Sequence, residues 1–307
     1  MDIIPRDFRG DADLGAMSEL VHSFPADNLR VADLSWRLAS WALDDPANAG
    51  VWVDAGGRLA AWAVMQVPFW TIDYALHPDA GPDLHREILA WADARARYTL
   101  DGAQGRPAWF VQVFADDTAR RRDLEQAGFA DQADVGDNSW SKVFMRRAAA
   151  DPVPAWAVPA GYTVRPLAGE GEVGGYVALH RAVFGSPNMT PEWRARTVRQ
   201  PEYLADLDLV AVAPDGRLAA FCVGWLDAKS RREVSGQIEP LGVHADHRGL
   251  GLGRAMLGKA VRRLYQRGAV HVYVETDNYR DAALATYERA GFQVLRDVRV
   301  YRKDYTR

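Results

Sequence analysis

The chain repeats itself, and the repeat constrains the fold more than any single motif. GRLAAWAV at 57–64 returns as GRLAAFCV at 216–223, an offset of 159 residues. Arg6 in the opening segment matches Arg165 at the same offset, and QAGF at 126–129 returns as RAGF at 289–292, an offset of 163. Chance produces any one such match; three in the same order mean two copies of a unit of about 150 residues. The 307 residues then divide into domains 1–147 and 161–307. Between them, AAADPVPAWAVPAG is rich in Ala and Pro and lacks periodicity, so 148–160 is expected to be a stiff linker.

Within the second copy, YTVRPL has the pattern of a strand, 173–184 that of a helix, and TPEWRARTV that of a second short helix. DLVAVA and RLAAFCVGWLDA alternate or run apolar like paired strands, with Pro214, Asp215 and Gly216 turning between them. A further strand covers 233–243, and Leu252, Met256, Ala260, Val261 and Leu264 then recur at helical spacing. VHVYVET is a strand, 281–289 a helix and FQVLRDVRVYRK the closing strand. The first copy follows the same order, with PDLHREILAWADARA as the equivalent helix. The expected fold class is α/β (α+β), built twice, each copy a mixed central sheet flanked by helices.

HRGLGLGRAML places Gly249, Gly251 and Gly253 between the strand ending near His244 and the amphipathic helix. Bare amides at a helix N-terminus carry about half a positive charge and several unpaired donors, which suits a phosphate. One glycine is enough for a tight turn, whereas three with Arg248 and Arg254 beside them favour an anion. The dinucleotide fingerprint G-x-G-x-x-G fails, because Arg254 or Met256 stands at its last position. Gly253, Gly258 and Lys259 match a Walker A spacing, yet Ala260 replaces the magnesium-binding hydroxyl and Gly258 and Lys259 fall inside the helix periodicity.

The remaining pattern, R-x-x-G-x-G at Arg248, Gly251 and Gly253, lies between LGVHADHRGLGLGRAML and the later TYERAGF. In that setting the second copy resembles the GNAT acyltransferases, and the first copy resembles them in architecture only. The resemblance implies acetyl-CoA as acyl donor, with its pyrophosphate on Arg248, Gly249, Gly251, Leu252, Gly253 and Arg254. It implies a strand that splays from its neighbour and offers the main chain of Leu241, Gly242 and Val243 to the pantetheine arm. Tyr287 takes the place of the family's tyrosine that protonates the departing thiolate. Asn278 resembles the asparagine that contacts the cofactor arm, although it stands farther from Tyr287 than usual, so that either the loop is longer or Arg280 has taken over. Many relatives carry a glutamate four residues before the pantetheine-binding segment, and that position is Gln237 here. Glu239, two residues on and on the same strand face, is the candidate base for the acceptor amine.

The first copy departs from this pattern. Its loop reads LHPDAGPDLHREIL, with one glycine, two prolines, and Asp79 and Asp83 where phosphate would lie. The offset of 163 carries Tyr287 onto Leu124, which has no proton to give. The first domain is expected to be noncatalytic, a lid or one wall of the acceptor site.

The expected function is acetyl transfer to a primary amine of a small molecule, by a monomer or homodimer; the rival from another class is a module that senses acyl-CoA without turning it over. A net charge of −4 argues against a nucleic-acid partner. No apolar run approaches the roughly 18 residues needed to span a bilayer, and the acidic N-terminus lacks a signal-peptide pattern, so a cytoplasmic location without membrane attachment is expected. Cys222, the single cysteine, lies in an apolar run and is expected to be an inert core thiol. His244 and His247 lack a third ligand at useful spacing, so no metal is expected. Eight of the eleven tryptophans lie in the first copy, where core packing is the first explanation and an aromatic substrate wall the second.

Overall fold

A computed structural model describes residues 2–29, 31–134, 139–230 and 233–306. It consists of two compact units, Met1–Val143 with Arg296–Arg307, and Phe144–Leu295.

The first unit runs β1 (Ile3–Asp7), α1 (Asp11–Ser23), α2 (Leu34–Leu38), β2 (Ala49–Asp54), β3 (Leu59–Gln66), β4 (Thr71–Leu76), α3 (Pro82–Thr99), β5 (Ala108–Phe114), α4 (Thr118–Gln126) and the short β6 (Ala130–Asp131). Strand β7 (Ser141–Ala148) then crosses the unit boundary. The second unit continues with β8 (Thr163–Pro166), α5 (Val173–Phe184), α6 (Pro191–Val198), β9 (Asp208–Val212), β10 (Leu218–Asp227), β11 (Ser235–Val243), α7 (Leu252–Gln266), β12 (His271–Asp277) and α8 (Asp281–Arg289), before β13 (Gln293–Asp304).

The sheet of the first unit has the order β1-β2-β3-β4-β5-β13, with Val298 to Asp304 antiparallel to Phe114 to Ala108. That of the second has β7-β12-β11-β10-β9-β8. Each sheet is therefore completed by the closing strand of the other copy. The units consequently differ from the repeat boundaries: residues 144–147 belong to the second unit and 296–307 to the first. The reason is physical. Two copies carry equivalent closing strands and equivalent sheet edges, so either strand satisfies either edge, as in domain swapping.

The repeat is visible in atomic detail. Arg6 donates to both carboxylate oxygens of Asp13 at 2.6 and 2.7 Å, and Arg165 does the same to Glu172 at 2.5 and 2.7 Å. The same carboxylates accept the backbone N–H of Arg9 at 2.7 Å and of Ala168 at 2.8 Å. Each bidentate clamp ties a first strand to the start of its first helix, at Asp13 in the first turn of α1 and at Glu172, the N-cap of α5.

Both cores are built as the periodicity requires. On α7, Leu252, Met256, Ala260, Val261 and Leu264 are all at most 1% exposed. In the first unit Trp52, Trp62 and Trp109 are each 1% exposed, which settles those three as core residues. Cys222 is buried on β10, and burial pushes its thiol pKa up, as an inert thiol requires. Beyond Ala148, the last residue of β7, the expected linker has no helix or strand but is not a free spacer. Pro154 accepts from Arg262 of α7 at 3.0 Å, and Trp156 packs against Gly258.

Arg147 fastens β7 to the second unit. Only 1% exposed, it donates from Nε to the Ala290 carbonyl at 2.6 Å, from Nη1 to the Tyr265 hydroxyl at 2.7 Å, and from Nη2 to the Asp151 carbonyl at 2.8 Å. The Ala290 carbonyl lies at the end of α8, where helix geometry supplies no partner. Arg147→Met keeps the apolar stem and removes the donors. It is expected to destabilise the second unit by about 3 kcal/mol, read as a lower urea midpoint for its unfolding, because buried acceptors are left unpaired.

Candidate active site

In the second unit, β11 forms the floor of a cleft of about 610 Å³. Its walls come from the loop after β11, the first turn of α7, one face of α8, and Val183 and Phe184 at the end of α5. The cleft exists because two parallel strands part. Pairing of β11 with β12 runs from Ser235↔His271 to Gln237↔Tyr273 and stops, although β11 continues to Val243 and β12 to Asp277.

On its other side, β11 stays paired with β10 through a bulge. Cys222 faces Leu241 and Gly224 faces Ile238, so Val223 stands opposite both Glu239 and Pro240. The His244 N–H donates to the Ala219 carbonyl at 2.9 Å. Strand alternation therefore turns the peptide groups of Gly242 toward β10 and those of Leu241 and Val243 toward the gap. Gly242 contributes differently, through its missing side chain. A Cβ there would lie 2.4 Å from Phe221 and 2.7 Å from Val183, so only glycine lets α5 close on the strand.

The glycines do the work expected of them at the head of α7. Gly249 has φ +77° and Gly251 φ +85°, a region that side chains disfavour. Gly251 is the N-cap of a helix with no side-chain cap and no acidic residue in its first turn. Its leading N–H groups keep their anion-binding capacity. Arg248 and Arg254 both line the cleft, and Arg248 is steadied by donating to the Val243 carbonyl at 3.2 Å. The histidines before the loop have structural partners: His244 Nδ1 accepts the Asp246 N–H at 3.3 Å, and His247 Nδ1 lies 2.8 Å from the Tyr162 hydroxyl.

Tyr287 lines the same cleft from α8, 8% exposed and edge-on to Phe292. Burial raises its pKa well above the usual phenol value, and the Glu239 carboxylate raises it further. Glu239 is not part of the cleft lining. Gln237 is 3% exposed, whereas Glu239 retains partial solvent access. The cleft thus gathers Leu241, Gly242, Val243, Arg248, Gly249, Gly251, Leu252, Gly253 and Arg254 with Tyr287. Asn278 stays outside it on the exposed turn after β12. Arg280 lines it instead, held by Asp277 at 2.7 Å, because the turn is long enough to carry Asn278 past the opening. Sequence reasoning did not find Val183, Phe184, Ala282, Ala283 or Thr286; the small residues spaced along one face of α8 were the available signal.

The matching place in the first unit is built otherwise. His77 caps the same short turn as His244, accepting the Asp79 N–H at 3.1 Å. Four residue steps lead from His77 to Gly81, the N-cap of α3, against seven from His244 to Gly251. The missing residues are the glycine loop. Helix α3 begins with Pro82, which has no N–H, and carries Asp83 in its first turn. Between α3 and α4, His85 Nδ1 lies 2.9 Å from Asp123 and Nε2 lies 3.1 Å from the Tyr74 hydroxyl. Burial lowers the His85 pKa, so the ring bridges as a neutral donor and acceptor. Leu124, the seventh residue of α4 as Tyr287 is of α8, is fully buried.

Comparison with known proteins agrees with this geometry. Residues 159–292 match the model of the Acetyltransferase (GNAT) family. A mycothiol acetyltransferase of Kineococcus radiotolerans is 36% identical over 144 residues, 44% of this chain and 45% of that protein. The chain spans about half the length of the curated relatives it matches. Among solved structures, a GCN5-related N-acetyltransferase from Sphaerobacter thermophilus is 25% identical, with a TM-score of 0.67 over 98% of this chain and 95% of that one. A tandem GNAT protein from the clavulanic acid biosynthesis pathway shares the fold at 17% identity, with a TM-score of 0.63 over 99% and 98% of the two chains.

Proposed function

We propose that the chain, whose residues 159–292 match the GNAT acetyltransferase family model, is a cytosolic N-acetyltransferase that moves an acetyl group from acetyl-CoA to a primary amine of a small molecule, using its second unit. The observation that carries this is one cleft lined both by a helix head with open N–H groups and by Tyr287. The pyrophosphate lies on the amides of the Gly249–Gly253 loop, between Arg248 and Arg254. The pantetheine arm runs along the open edge of β11, hydrogen-bonding the peptide groups of Leu241 and Val243. Acyl transfer needs a neutral amine, a polarised carbonyl and a protonated leaving group. Glu239 takes the amine proton, directly or through one water. The nitrogen attacks the thioester carbonyl, the C–S bond breaks, and Tyr287 gives its proton to the departing sulfur.

The first unit is noncatalytic in this reading. Its shortened loop, Pro82 and the His85 bridge support that role. Titration calorimetry is expected to give one acetyl-CoA site per chain. Two sites of similar affinity would refute the assignment of the first unit.

The activity itself is tested by following free thiol from acetyl-CoA with a panel of small amines. Release that depends on the amine supports the enzyme. Acetyl-CoA binding with no release on any acceptor supports a sensing module instead. Curated relatives are named mycothiol acetyltransferase, and we therefore include in the panel the amine of a cysteinyl-glucosaminyl-inositol, the acceptor of a mycothiol synthase.

A further inference from the structure

We propose that Trp225 is a positioning residue for acetyl transfer: its indole N–H pins the bulge of β11 and thereby sets the direction of the Glu239 side chain and the open edge that Leu241 and Val243 present to the cleft. This inference rests on the acetyltransferase reading. Trp225 lies on β10 directly opposite Gln237, is 2% exposed, and donates from Nε1 to the Glu239 carbonyl at 2.6 Å.

A bulge takes residues out of the ladder, and a carbonyl so released inside a protein needs another donor. The Trp225 indole supplies it at the residue where the registers change. Before the bulge, a Cβ at Gly236 would meet Leu264 of α7, so even-numbered positions face that helix. After it, a Cβ at Gly242 would meet Val183 of α5, so even-numbered positions face the other way. The switch of faces happens at Glu239 and Pro240. A one-residue slip of this segment reverses every side chain on it and exchanges the peptide groups that face the gap. Holding the Glu239 carbonyl therefore fixes two things, the direction of the Glu239 carboxylate and the identity of the groups along the open edge. Most of the cofactor affinity comes from the pyrophosphate at the head of α7, so a small displacement of the open edge costs kcat far more than it costs Kd.

The test compares Trp225→Phe with Trp62→Phe. Trp62 is a matched control in the first unit, 1% exposed, with Nε1 donating to the Met17 carbonyl at 3.1 Å. Both variants lose one buried indole bond and are expected to lose similar thermal stability. Trp62→Phe keeps the parental kcat. In Trp225→Phe, kcat falls by roughly tenfold to a hundredfold, the scale of a misplacement of about 1 Å, while the Kd for CoA stays within about threefold of the parent. Parental kcat in Trp225→Phe, or kcat and CoA affinity lost in proportion to stability in both variants, overturns the proposal. If Trp225→Phe does not fold, the sulfur isostere 3-benzothienylalanine at position 225 keeps the shape without the N–H and must show the same loss. Absence of turnover in the parent would count against the acetyltransferase reading, whereas the ratio of variant to parent judges Trp225.

Discussion

Tyr287→Phe lowers kcat by roughly 10²- to 10⁴-fold, the range for loss of a positioned proton donor, and leaves acetyl-CoA binding intact. The phenyl ring keeps its edge-on contact with Phe292, and no part of the glycine loop is touched. The dependence on pH follows from the direction of the shift. Burial, with the Glu239 charge added to it, holds the folded-state pKa of Tyr287 above that of a free phenol. Tyr287 is therefore protonated throughout the working range, and its ionisation enters only above about pH 10, the ordinary phenol value. Up to there kcat/KM in the parent rises with the free amine and shows no falling limb from the tyrosine. The variant is lower by a constant factor across the profile. A ratio that shrinks as pH rises toward 10 would mean a tyrosine titrating in that range, and parental rates would reduce Tyr287 to a packed aromatic. The transfer from a phenol to a thiolate is uphill for free groups, so it proceeds only as the C–S bond breaks and the sulfur gains charge beside the hydroxyl.

The features legible in the sequence are those with a local cause. Helices α5 and α8 follow from apolar spacing, and the head of α7 follows from three glycines that no other local purpose requires. The difference between the copies is legible too, since Pro82, Asp83 and Leu124 are local substitutions. The exchange of closing strands is not, because the two strands and the two sheet edges are alike by descent and periodicity is blind to which edge a strand joins. The bulge at Glu239 and Pro240 is hidden for a related reason. Alternation read along β11 places Gln237 and Glu239 on one face, but gives no sign that the faces exchange before Gly242. The Trp225 indole and the His85 bridge are contacts between elements distant in sequence, and they become visible only once the sheets are assembled. The altered spacing between Asn278 and Tyr287 is legible in the sequence, but that Arg280 rather than Asn278 lines the cleft is not.

Gly251→Asp is expected to weaken acetyl-CoA binding by about two orders of magnitude while the protein remains folded. The two effects separate cleanly at this position. A Cβ at Gly251 meets only the Arg254 guanidinium, at 3.4 Å, so there is room for a side chain. The backbone, at φ +85°, is costly for most residues, but aspartate is among those that visit the left-handed region, and its carboxylate at an N-cap is favourable to the helix. Stability therefore changes little. The same carboxylate occupies the place proposed for the pyrophosphate and pairs with Arg254, which withdraws a cation and adds a like charge. Repulsion between unit charges several ångströms apart in a partly screened cleft is about 1 to 3 kcal/mol, and loss of the arginine adds to it, which together give the hundredfold. Gly251→Ala supplies the control. It shares the backbone cost without the charge, so its loss of affinity is about tenfold or less. Calorimetry on the three proteins, with the thermal shift on adding acetyl-CoA as a second readout, checks the argument. Equal affinity in the parent and Gly251→Asp would remove the pyrophosphate from the head of α7. Equal losses in the alanine and aspartate variants would show that backbone geometry rather than electrostatics governs the loop.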